Sequence, residues 1–458
     1  MNTEYPLHVV VLAAGQGTRM KSDLPKVLHR IAGKPMLSHV IAVAQALRAA
    51  SIQVIYGHGG EKVQQALANE NLHWVEQKEQ LGTGHAVQQA VPGIPDQSRV
   101  LILYGDVPLI TEQTLQSLVD LLVKTDLSLL TVNLENPTGY GRILRNEHRK
   151  VYAIVEEKDA SQDQKRVNEV NTGMMAVNGK RLKQWLANLK NHNQQGEFYL
   201  TDVIAMAVND DCEVMTCSPK HTIEVEGVNN KMQMARLERA YQRHRADQLM
   251  EQGVTLIDPD RFDVRGDLKV GRDVSIDINV IFEGTVSLAD NVVIGANVII
   301  KDSHLDEGTE VLPNTIIDGA QIGKRCVIGP FARIRPDTDM SESVKIGNFV
   351  EVKKAKIAQH SKVNHLSYIG DTVMGSKVNV GAGTITCNYD GANKHVTTIG
   401  DNVFIGSDTQ LVAPVHVGEG ATIGAGSTIT HDVPSHELTL SRSQQKTRKG
   451  WKRPVKEK

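Results

Sequence analysis

The sequence predicts an α/β domain with a mostly parallel sheet, then a connecting helix, then a parallel β-helix. Three observations carry this reading. Short apolar runs alternate with helix-patterned stretches over residues 1–228; residues 230–252 lack Gly and Pro and are rich in helix formers; and from residue 270 to residue 429 aliphatic side chains recur every six positions.

In the first part, residues 8–14, 52–56, 100–104 and 127–134 read as strands, and residues 36–50, 62–69 and 114–124 as helices. Sheets of this kind bind ligands at the carboxyl ends of their strands. In the last part Val270, Ile276, Phe282, Leu288, Ile294 and Ile300 are spaced six apart. The phase returns at Ile316, Ile322, Ile328, Ile334, Met340, Ile346 and Val352, and again at Ile399, Ile405, Leu411, Val417, Ile423 and Ile429. Smaller residues such as Val274, Val280, Ala320, Cys326 and Ala332 follow four positions later. A period of six fits neither a helix nor strand alternation, but it fits a β-helix in which three hexads close a triangular coil. A β-sandwich would space its strands at roughly 8–12 residues. The domains expected are 1–228, a linker helix 229–252, and a β-helix with a basic tail over 253–458.

The chain of 458 residues exceeds one ordinary core, and its 4% aromatic content suits a coil interior of Ile, Val and Ala. A net charge of −2 calls for neither nucleic acid nor an anionic membrane as partner. The four cysteines lack zinc-ligand spacing and read as free thiols. Residues 7–14 lack the basic leader of a signal peptide, and no apolar run approaches the roughly 18 residues of a membrane span, so a soluble, cytoplasmic protein is expected.

Two segments carry chemistry. The first strand runs into Gly15-Gln16-Gly17-Thr18-Arg19, followed by Pro25-Lys26; the glycines permit a tight turn whose N–H groups face one anion, and Arg19 and Lys26 supply cations suited to phosphate. It is neither a Walker A loop nor a dinucleotide fingerprint, since no Gly-Lys-Ser/Thr follows and Met20 stands where the last glycine would be. In the β-helix the hexads lose phase between Val352 and Val380 and between Val380 and Ile399, where Glu351, Lys353, His365, Tyr368, Asn379, Asn388 and Tyr389 gather.

LAAGQGTRM with LPKVLH resembles the signature of sugar-phosphate nucleotidyltransferases, and NHLSYIGD and GAGTITCNYDG resemble acetyltransferase motifs. End to end the chain is similar to the bacterial bifunctional enzymes that combine UDP-N-acetylglucosamine pyrophosphorylase with glucosamine-1-phosphate N-acetyltransferase. The resemblance implies a Rossmann-like nucleotidyltransferase domain and a left-handed β-helix. Leu12, Ala13, Ala14, Gly15 and Lys26 would hold the nucleotide, Gln77, Gly82 and Thr83 the uracil, and Tyr104, Gly105 and Asp106 would lie under the ribose and metal. Gly141, Glu156 and Asn171 would contact the acetylated sugar, and Asp106 with Asn229 would coordinate Mg²⁺. Arg19 and Lys26 would stabilise the transition state.

For acetyl transfer the resemblance implies His365 as base with Glu351 orienting it, and Arg335, Lys353 and Tyr368 on the sugar phosphate. Asn379 and Asn388-Tyr389 would position the sugar and its amine. Ala382, Asn388, Tyr389, Ser407, Ala425 and Arg442 would face acetyl-CoA, with a backbone N–H near Ala382 as oxyanion donor and the basic tail covering CoA phosphates. UTP and acetyl-CoA are the implied co-substrates, and a homotrimer with acetyltransferase sites shared between subunits is the implied assembly. Two alternatives stand beside this: a single-activity nucleotidyltransferase with a structural or regulatory β-helix, and a noncatalytic subunit. His365 with NYDG speaks against the first; Asp106, Asn229, Arg19 and Lys26 speak against the second.

Overall fold

The structure, a computed structural model, describes residues 5–57 and 59–456. It divides into two compact units, Met1–Tyr241 and Gln242–Lys458.

The first unit is built on a nine-stranded sheet whose main path runs Val214–Cys217, Leu127–Asn133, Glu169–Asn178, Arg99–Tyr104, Leu7–Leu12, Ser51–Tyr56 and His73–Glu76. All are parallel except Glu169–Asn178, which runs antiparallel to both neighbours. Every residue of Leu7–Leu12 is buried, because alternate side chains feed different cores: Val9 and Val11 pack with Leu101 and Leu103, whereas Val10 and Leu12 pack with Val100 and Ile102. A strand covered on both faces reads as a continuous apolar run, which made it legible. Glu169–Asn178 was not legible, since EVNTGMMAVN has no clean period and its register shifts between Asn171 and Met175. The parallel register aligns Leu12 with Tyr104 and Ile55, so the loops that follow leave from one edge.

Helix Lys231–Glu251 contributes to both cores. Leu237, Met234 and Tyr241 pack with Met20, Ile31 and Met36 in the first unit, and Ala246 and Leu249 join the core of the second.

The second unit is a parallel left-handed β-helix of hexapeptide repeats, with ladders of 11 and 15 strands. In one ladder Ile276, Ile294, Val311, Ile328, Ile346, Val363 and Val380 stack in register, 17 or 18 positions apart. Many corner residues adopt left-handed backbone, among them Asp273, Asn279, Asn291, Asn297 and Asn314. Buried hydroxyls line the interior beside the aliphatics: Thr309, Ser361, Thr384, Thr409 and Ser427 donate to backbone carbonyls at 2.6–2.8 Å.

Two details of the six-residue reading are corrected. Ile317 is the inward residue and Ile316 is 43% exposed, because the spacing from Ile300 runs through Leu305 and Val311, with one step shortened to five. The phase between Val352 and Val380 is likewise kept by Ile357, Val363, Ile369 and Met374, all buried, with five-residue steps before Ile357 and Met374. The larger break follows: Val380 pairs with Ile405, 25 positions on, because residues 388–396 leave the coil as a closed excursion in which His395 N donates to Asn388 O and Tyr389 bridges Lys394. Among the described residues no helix is long and apolar enough to cross a membrane.

Candidate functional sites

At the strand edge of the first unit, the turn after Leu7–Leu12 faces the turn after Arg99–Tyr104; Gly105 N donates to Leu12 O at 2.9 Å and Ala13 N to Ile55 O at 2.9 Å. Gly17 takes φ 64°, and a Cβ there would come within 2.6 Å of Lys26 Cβ, so the turn closes directly on that lysine. Lys26 pairs with the Asp106 carboxylate and donates to Asn229 Oδ1 at 2.9 Å, and Arg19 Nη2 reaches the same oxygen at 2.9 Å. Four of the expected residues thus meet at one point. The donor set is one carboxylate and one amide oxygen, which fits a hard cation that keeps several waters, as Mg²⁺ does. Asp106 and Asn229 are the residues that suit it.

A cavity of about 280 Å³ opens from this point, lined by Leu12, Ala13, Ala14, Gly15, Lys26, Gln77, Gly82, Thr83, Tyr104 and Asp106, all expected, together with Gln80 and Glu197, which sequence reading missed. Gln80 donates to Ala14 O at 2.8 Å and Gln77 to Gly82 O at 3.1 Å, so the two glutamines brace the loops around the cavity. Both lie in QKEQLGTG, and only long-range contact distinguishes Gln80 from its polar neighbours.

Gly141, Glu156 and Asn171 form a second group. Asn171 N donates to Gly141 O at 2.9 Å, and a Cβ at Gly141 would lie 3.4 Å from both Glu156 carboxylate oxygens, so a side chain there would crowd the acid. Burial holds the Glu156 carboxyl above its ordinary range, although the Thr201 hydroxyl, 3.0 Å away, favours the ionised form. The Tyr104 phenol is also pushed up, by burial and then by the charges of Glu156 and Asp106.

In the β-helix His365 stands in register beside Asn348, and its Nδ1 lies 2.7 Å from Asn348 Oδ1. Ala382 occupies the equivalent position one coil on, Ser407 and Ala425 the next two, and Arg442 Nη1 donates to Ala425 O at 2.7 Å. His365, Ala382, Ser407 and Ala425 therefore follow one line, spanning about 14 Å at the 4.8 Å spacing of neighbouring strands, and the Arg442 side chain reaches its end. Around the corner Glu351 is registered with Tyr368, and Lys353 with Gly370.

One expectation changes here. Glu351 does not hold His365; its carboxylate accepts from Arg335 Nη1 at 2.8 Å, because it lies on the sheet beyond the corner, while Asn348 shares the strand ladder of His365. Asn388 is 8% exposed and donates to the buried Asp371 at 2.5 Å, so its amide anchors the excursion. Asn379 lines a separate cavity of about 360 Å³ with Ser343, His360, Lys362 and Lys377. Sequence reading also missed Lys394: its ammonium pKa is lowered, first by the close approach of the Lys353 side chain and then by that lysine's charge. Two adjacent ammonium groups make a place for an anion. Tyr389, 60% exposed, donates to Gly391 O at 2.6 Å.

Together fold and sites define a nucleotidyltransferase joined to a hexapeptide-repeat transferase. Residues 9–169 match the model of the MobA-like NTP transferase domain, 264–364 that of the GMPPB C-terminal domain, and 397–431 that of the bacterial transferase hexapeptide. The chain is 56% identical to the bifunctional protein GlmU of Marinobacter nauticus over 98% of its length and 99% of that protein's. It is 58% identical to those of Azoarcus sp. and Nitrosospira multiformis, again over 98% of its length, covering 100% and 98% of theirs. The chain belongs to the family of bifunctional GlmU proteins.

Proposed function

We propose that the two sites act in sequence on one sugar phosphate: acetyl transfer in the second unit makes N-acetylglucosamine 1-phosphate, and uridylyl transfer in the first converts it to UDP-N-acetylglucosamine. The chain is a bifunctional acetyltransferase and uridylyltransferase. What supports this assignment of residues is that each unit has its own polar constellation, one meeting on Lys26 and one running from His365 to Arg442.

In acetyl transfer the substrate amine must be neutral to attack the thioester and must shed a proton as the C–N bond forms. With Asn348 Oδ1 accepting from Nδ1–H, His365 presents Nε2 as the base. The C–S bond then breaks, and the CoA thiolate takes the proton from the imidazolium. Arg335, Lys353, Lys394 and Tyr368 would hold the phosphate. Gly381 and Gly383 spend their N–H groups on the Ile405 and His365 carbonyls, which favours the Ala382 N–H as the oxyanion donor. The line through Ser407, Ala425 and Arg442 suits the extended arm of acetyl-CoA.

In uridylyl transfer the sugar phosphate is already largely dianionic at neutral pH and needs no base. Its oxygen attacks the α-phosphorus of UTP and pyrophosphate leaves, so the protein's task is to bring anions together and stabilise the charge that develops. Lys26 and Arg19 supply fixed cations for this. Mg²⁺ held by Asp106 and Asn229 would add further positive charge at the phosphate oxygens. Gly141, Glu156 and Asn171 would hold the acetylated sugar.

The assembly is a homotrimer in this reading. Asn279, Asn297 and Asn314 form a hydrogen-bonded ladder along one corner, and in the next coils Phe331, Phe349 and Leu366 replace them, exposed by 50%, 55% and 63% with the two rings stacked. Apolar groups at left-handed corners beside His365 suit contact with another copy. The protein would act in the cytoplasm, supplying a precursor for peptidoglycan and lipopolysaccharide. CoA release with glucosamine 1-phosphate and pyrophosphate release with UTP test the two activities separately. In His365→Ala the first should fall about 10²–10⁴-fold while the second persists. Acetylation at the wild-type rate would refute the base.

A further inference from the structure

Arg142 is among the largest fully buried side chains of the protein, at 2% exposure, and lies immediately after Gly141. Its Nη2 pairs with Glu157 Oε2 at 2.7 Å, its Nη1 donates to Tyr140 O, and its buried Nε has no partner among the described residues. Glu157, in turn, immediately follows Glu156, and its Oε2 also accepts from Gly139 N at 3.3 Å. The backbone of Arg142 is registered with Val155 on one side and Val170 on the other. One ion pair therefore ties the turn at residues 136–141 to the end of strand Val151–Val155. Otherwise the turn is held largely by its own bonds, such as Thr138 N to Asn136 Oδ1 and Tyr140 N to Pro137 O.

A guanidinium this deeply buried is stabilised only in the arrangement that supplies its carboxylate. The arrangement it enforces sets the gap between Gly141 and Glu156. We propose that Arg142 and Glu157 are positioning residues for the acetylated sugar, acting through Gly141 and Glu156 to set selectivity for N-acetylglucosamine 1-phosphate over glucosamine 1-phosphate. This rests on the assignment of Gly141, Glu156 and Asn171 to the sugar.

The test is steady-state uridylyl transfer by the full-length protein carrying Glu157→Gln, which keeps the shape and removes the charge. The KM for N-acetylglucosamine 1-phosphate should rise about 5- to 20-fold, with kcat and the KM for UTP within about twofold, and the preference over glucosamine 1-phosphate should narrow by a similar factor. Arg142→Lys, which keeps the charge but loses the fork, should move the same constants in the same direction. Acetyl transfer and the thermal transition of each variant report whether the chain still folds. A Glu157→Gln enzyme with unchanged sugar KM and selectivity overturns the proposal, as does an equal rise in the KM values for sugar phosphate and UTP. Glu156→Gln separates the two levels: if it too leaves the sugar KM unchanged, the sugar assignment fails; if it raises KM while Glu157→Gln does not, only the positioning role fails.

Discussion

Asp106 and Asn229 lie 123 positions apart in sequence yet converge on the same ammonium, that of Lys26. Asp106→Ala removes the only carboxylate of the donor set assigned to the metal and frees Lys26 from its partner. Uridylyl transfer should drop by at least about 10³-fold, and acetyl transfer should stay within about twofold; comparable loss of both would contradict separate sites. Glu156 allows a prediction in pH. Burial raises its folded-state pKa, so the favourable state is the protonated one. Its contribution to stability is present below the ordinary carboxylate pKa of about 4.3 and is lost as pH rises through the higher folded-state value. Glu156→Gln should therefore gain in melting temperature relative to wild type as pH increases from about 4 to 8. A gain that shrinks over that range would show that burial is not the dominant influence on this acid.

At the level of elements, the β-helix was legible because every coil repeats the same local demand, an inward aliphatic six residues after the last. Its architecture and most of its inward aliphatics followed from that period. The places where a step shortens to five were not legible, since Ile316 and Ile317 are chemically the same and only coil closure selects between them. Ile317→Ala should cost about 2–5 kcal/mol of unfolding free energy, the range for a buried aliphatic, while Ile316→Ala should cost less than about 0.5 kcal/mol. Urea titration of the two variants measures this, and equal costs would contradict the assigned phase. In the first unit the alternating apolar runs made the parallel strands readable, whereas antiparallel Glu169–Asn178, interrupted by Asn171-Thr172-Gly173, has no such pattern. The glycine loop was readable from its own residues, but Gln80, Glu197, Asn348 and Lys394 reach their sites through packing that leaves no local mark.

At the scale of the whole molecule, the corner at Phe331 and Phe349 would link assembly to chemistry in the proposed homotrimer. Both residues have positive φ, at 56° and 55°, where asparagine is favoured, and Asn314 already occupies the preceding corner. Replacing both by Asn should extend the ladder without harming the coil. The double variant should sediment as a monomer, lose acetyl transfer by more than about tenfold and keep uridylyl transfer within about twofold, because interfaces draw disproportionate energy from aromatic anchors. A fully trimeric, fully active double variant would remove this corner from the interface.

The sequence by itself determined the two architectures, their order along the chain and the glycine turn with its two cations. These follow from local requirements: an apolar run for a covered strand, a six-residue repeat for a coil, and glycines with cations for a phosphate turn. Only the tertiary structure decided the partners. It put Asn348, not Glu351, on His365, turned Asn388 onto Asp371, and closed Arg19, Lys26, Asp106 and Asn229 on one point. Such pairings depend on strand register and coil length, which are set by how the whole core closes and not by the residues on either side.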